Sequence, residues 1–138
     1  MAQTDLQFAF TLPPLTIAQM AVAVALVRNE FGSMQDLPFD FASELVKGDG
    51  GGDTGRITFW SLTGGDIEEA AQTAADVGKA LGFTHRQAVT YAITCNRAIP
   101  EAFGGGALII DYAEGEVVGS IDADTWAKDR IRENQIGG

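Results

Sequence analysis

Disulfide bridges, zinc sites and cysteine–histidine catalysis all draw on residues that this chain hardly has: one cysteine, Cys95, and one histidine, His85, in 138 residues. An intrachain disulfide is therefore impossible, and nothing suggests a secreted, bridge-stapled scaffold. One imidazole and one thiol cannot fill a zinc site of three or four N/S ligands. Cys95 sits in an alternating apolar run and is expected to be a small buried thiol rather than a nucleophile served by His85. Long apolar runs are missing too. The longest, Met20 to Val27, has eight residues, and reaching back to Ile17 still leaves it short of the roughly 20 needed to span a bilayer. The opening MAQTDLQFAF has no basic leader and no cleavable apolar core, so no signal peptide is expected and a reducing cytoplasm is the default location.

Basic residues are the other scarcity. Nine Lys and Arg stand against nineteen Asp and Glu, a net charge of −10. From Ala98 to Ala127 there are six acids (Glu101, Asp111, Glu114, Glu116, Asp122 and Asp124) and no base. A second base-free window, Ile57 to Gly78, holds Asp66, Glu68, Glu69 and Asp76. Such a surface repels phosphate backbones and attracts basic proteins, although solubility alone would also account for it.

What is present reads as one globular domain over residues 1–138, with 46% apolar and 20% charged residues. Leu6, Phe8, Phe10 and Leu12 alternate with Gln7, Ala9 and Thr11, a half-buried strand stopped by Pro13 and Pro14. Thr16 and Gln19 form a capping box for a helix to Phe31, which is apolar nearly all round and is expected to be the buried spine, closed by Gly32. Asp40 is expected to cap a short helix through Lys47. Arg56 to Leu62 reads as an interior strand, and Asp66 with Glu69 caps a helix over Ile67–Leu81. Thr84 to Arg97 fits a strand best by its Val89, Tyr91, Ile93, Cys95 alternation, with a helix opened by Thr84 and Gln87 as the alternative. ALIIDY, the turn AEGE and VVGSI predict a hairpin with Gly115 at positive φ, followed by a short helix carrying Trp126 and Ile131 and a loose tail over 136–138. The fold expected is α+β, a mostly antiparallel sheet of four or five strands packed on two main helices plus short ones.

The stretch GDGGGDTGRITFW, Gly48 to Trp60, invites a ligand reading. Its glycines precede a strand, whereas phosphate-binding loops lie between strand and helix. Asp49, Gly51 and Asp53 mimic the start of a calcium loop, but the twelfth position is Trp60 instead of a bidentate carboxylate. A flexible connector over 48–55, with no cofactor and no metal, is the reading.

With no catalytic set and no cofactor motif, the chain reads as a small acidic interaction protein, not an enzyme, that binds and inhibits a basic or nucleic-acid-handling partner protein. It shares this general character with bacterial immunity proteins and phage-encoded anti-defence inhibitors. The partner-binding residues are expected to be Asp111, Glu114, Glu116, Asp122 and Asp124, gathered at one edge of the sheet; no direct nucleic acid and no membrane is expected as partner. Two alternatives stand beside this. DVGKALGF, Asp76 to Phe83, loosely resembles the helix before the turn in phage and plasmid DNA-binding domains, which implies a winged-helix-like regulator using residues 84–97, with His85, Arg86, Gln87, Thr90 and Arg97 in the groove. A small hydrolase would use paired carboxylates, Asp111 with Glu114 and Glu116 or Asp122 with Asp124.

Overall fold

The computed structural model describes residues 4–33, 35, 37–48, 52–62, 64–95 and 104–137. Among these the chain runs β1 (Thr4–Thr11), α1 (Ile17–Phe31), β2 (Asp40–Val46), β3 (Thr54–Ser61), α2 (Ile67–Ala80), β4 (Arg86–Cys95), β5 (Gly104–Asp111), β6 (Glu116–Asp122) and α3 (Ala123–Gly137). The strands form one antiparallel sheet in the order β2-β3-β1-β4-β5-β6. The fold is α+β, with six strands and a third helix of 15 residues in place of the four or five strands and short final helix expected.

Alternation decides which face of the sheet is covered. Phe8 and Phe10 of β1, Ile57 and Phe59 of β3, Val89 of β4, and Leu108 and Ile110 of β5 join Ala23 and Val27 of α1 and the inner side of α2 in one core. Phe10 stacks on Phe59 with ring centroids 5.0 Å apart. Ala9, Thr11, Ala88, Thr90, Ala92, Ile109 and Ile121, on the opposite face, are exposed.

Three expectations are corrected. Asp40–Val46 is an edge strand, not a helix: it pairs with β3 from Asp40↔Trp60 to Val46↔Thr54, and Phe41 reaches Phe59 edge-on at 5.3 Å. Pairing with a neighbour already fixed in the core outweighs a local preference for helix. The burial order of the helices is also reversed. α1 buries Ala23 and Val27 and exposes Ile17, Val22 and Leu26, whereas α2 buries eight of its residues, so α2 is the spine. Finally, the connector over 48–55 is shorter than expected. Thr54 and Gly55 belong to β3, and Gly55 exchanges both backbone hydrogen bonds with Leu15, 3.1 and 2.7 Å. A Cβ on Gly55 would lie 2.9 Å from Cβ of Met20, so the glycine lets α1 close on the sheet. Asp49, Gly50 and Gly51 lie outside the described residues, as does Gly138; Ile136 and Gly137, expected in the tail, continue α3.

Local signals elsewhere behave as read. Thr16 Oγ1 accepts from the Gln19 N–H at 3.1 Å and Gln19 Oε1 from the Thr16 N–H at 2.9 Å. Gly32 has φ +74° and Gly115 φ +70°. Residues 86–95 form strand β4, which sits between β1 and β5 and leaves no recognition helix. Arg97 lies outside the described residues.

Candidate functional site

α2 begins where Asp66 accepts a hydrogen bond from the Glu69 N–H at 3.1 Å, and Glu68 and Glu69 follow in its first turn, where the helix dipole favours negative charge. Between this end of α2 and β5–β6 lies a groove of about 390 Å³. Leu108 and Val117 line it from the sheet, and Asp66, Glu68 and Glu69 line it from the helix.

The β5–β6 turn leans on the same helix. Gln72 Nε2 donates to the Gly115 carbonyl at 3.0 Å and to Asp76 Oδ1 at 3.0 Å, which sets the turn carrying the exposed Glu114 beside the acidic flank of α2, whereas Glu116, paired with Asp111, faces the uncovered side of the sheet. From α1, Glu30 approaches the same flank. Its pKa is raised, first by partial burial and then by the charges of Asp76 and Glu69. The first base-free window of the sequence thus meets the turn of the second, with Glu30 joining from a third element. Glu30 carried no sequence signal, because nothing in the pattern of α1 tells which of its sides will face α2.

The five residues singled out as partner-binding fall into three situations. Glu114 and Glu116 are solvent-facing. Asp111 is buried, and both of its carboxylate oxygens are engaged: it accepts from the Glu114 N–H at 3.2 Å and pairs with Arg86 Nε at 3.0 Å. Those bonds, the Glu114 N–H foremost, hold its pKa below the ordinary aspartate value. Asp111 therefore builds the turn that presents Glu114. Asp122 and Asp124 stand at the other end of β6, about 20 Å from Glu116 at the rise of an extended strand. There Asp122 accepts from the Asp124 N–H at 2.9 Å and Asp124 pairs with Lys128 at 2.9 Å, which starts α3. The five are thus split between the two ends of β6, with Asp111 on the neighbouring strand β5 and Asp124 in α3.

A general acid needs a carboxyl whose pKa is pushed up in a cleft; Asp111, the expected member of a carboxylate pair, is pushed down. Among the described residues no group of three or more His, Cys, Asp or Glu is placed to hold a metal ion. His85 and Cys95 stand at opposite ends of β4, on the order of 30 Å apart, too far for a nucleophile and its base. The Cys95 side chain itself lies outside the described residues. No helix among them is long and apolar enough to cross a membrane. Compared with protein-family models, curated proteins and solved structures, the chain matches none.

Proposed function

We propose that this chain is a small acidic binding protein that seats a basic segment of a partner protein on the acidic side formed by α2 and the β5–β6 turn, and in doing so blocks that partner. A nucleic-acid-handling protein, which must carry a basic surface, fits this chemistry. The groove between α2 and β5–β6 carries the proposal: an apolar floor of Leu108 and Val117 under the carboxylates of Asp66, Glu68 and Glu69 suits a side chain with an aliphatic stem and a cationic head. Glu114 extends the field and steers the approach.

Titration with a fluorescent Lys/Arg-rich peptide at low salt tests this. Binding is expected, weakening as salt is added, and the change Glu68→Lys, Glu69→Lys, Glu114→Lys should weaken it at least tenfold, about 1.4 kcal/mol or more, with the circular dichroism unchanged. Asp111 is left in place, since it holds the turn. Binding that survives the triple change, or stronger binding to duplex DNA than to the peptide, would sink the reading.

A further inference from the structure

The groove beside the start of α2 opens onto the free edge of the sheet. β6 ends the strand order β2-β3-β1-β4-β5-β6 and, among the described residues, pairs on one side only, with β5. Its other side offers a row of backbone N–H and C=O groups to a further strand. Regular alternation would turn Val117 and Ser120, three positions apart, to opposite faces of the sheet, yet both line the groove. The pairing explains this. Ile110 faces Val117 and Ile109 faces Gly119, so Val118 is an extra residue, and the bulge it makes brings Val117 and Ser120 to one side. The edge strand is thereby aimed at the acids of α2. We infer that the basic segment taken up by the groove, an inference that rests on the groove reading above, binds as an added β-strand along β6, with its alternate cationic side chains turned in toward α2.

Charge commits the edge to that occupant. A strand laid beside β6 lies about 4.8 Å outside it and turns every second side chain to the helix-covered side. Those side chains meet Val117 and Ser120 from the sheet and Asp66, Glu68 and Glu69 from the helix, so an apolar strand would leave three carboxylates without a counter-charge and a lysine-bearing one would not. A second copy is disfavoured on the same ground. Two β6 strands paired antiparallel about Gly119 would set Glu116 opposite Asp122 at both ends, like charges facing each other in chains of net −10 each. The sheet's other edge makes the contrast. On β2, Glu44 is already paired with Arg56, and the hollow at its Val46 end is lined by that base and by no acid.

A basic peptide of alternating lysine and threonine tests the mode of binding apart from binding itself. In a strand the backbone N–H groups of alternate residues point to the same side, so only one of the two sets can donate to β6. N-methylation of two central lysines and, separately, of two central threonines should therefore give one peptide that binds at least tenfold more weakly than the parent and one that binds as the parent does. With the parent bound, amide hydrogen exchange should slow along β6 and keep its rate along β2. Equal affinities of the two methylated peptides, or a bound parent that leaves β6 exchange unchanged or slows β2 instead, overturns strand addition and leaves the groove reading standing. A parent peptide that does not bind sinks the groove reading itself, and this inference with it.

Discussion

Tyr112 is the largest wholly buried side chain, and its position explains a glycine in the middle of a helix. The ring sits against Gly78 of α2, edge-on to Phe83 at 5.6 Å and 4.9 Å from His85, while its hydroxyl donates to Gln87 Oε1. Burial pushes the phenol pKa up to about 12, so it remains a donor throughout the physiological range. In an exposed helix Gly→Ala gains about 1 kcal/mol. Here an alanine Cβ would overlap Cδ1 of Tyr112 and lie 2.8 Å from Cε1, and the ring is closed in by Phe83 and His85. Overpacking of this kind costs about 1–3 kcal/mol, so the clash wins. Gly78→Ala is expected to lower the melting temperature by several degrees. A rise would show that the ring has room to move.

Among the elements, what could be read from the sequence tracks how local each interaction is. Caps, turns and the alternation of β1, β3 and β4 depend on residues within a few positions of each other, and Thr16, Asp66, Gly32 and Gly115 all take the roles that their types imply. β2 was hidden because its strand state comes from β3, and the shallow burial of α1 because its apolar residues carry no mark of which side faces α2. The acids of α2 and of the β5–β6 turn were visible as charge windows, but their meeting depends on Gln72 reaching Gly115, 43 positions away. Glu30 gives that meeting a measurable consequence. A carboxyl whose pKa is higher in the folded state contributes stability that is intact below about pH 4.5 and is lost as pH rises through the folded value. At pH 7 the whole penalty is present, so Glu30→Gln should raise the melting temperature there by about 1–2 °C, the effect of relieving like-charge contacts worth about 0.2–0.5 kcal/mol. Near pH 4 the gain should vanish. A loss of stability at pH 7 would mean that the Glu30 carboxylate is held by attraction.

At the scale of the whole molecule two electrostatic effects oppose each other, and salt separates them. The exposed ion pairs Arg56–Glu44, Lys128–Asp124, Arg130–Glu133 and Arg132–Asp129 favour the folded state and weaken with ionic strength. Pairs so exposed contribute little, and often nothing measurable. Against them stands a net charge of −10, with Glu30, Glu69 and Asp76 close enough to raise a pKa. Self-repulsion acts between all the acids at once and destabilises the compact state, so it should dominate. Raising sodium chloride shortens the screening length from about 30 Å at 0.01 M to about 3 Å at 1 M and relieves it. The melting temperature should therefore climb by about 2–5 °C over that range, the equivalent of roughly 1 kcal/mol for a domain of this size. Over the same range the affinity for a basic peptide should fall, because screening weakens attraction between molecules as surely as repulsion within one. Calorimetry and peptide titration on the same salt series check both slopes. A melting temperature that falls with salt would assign the stability to the ion pairs and remove the case for a surface under electrostatic strain that a cationic partner relieves.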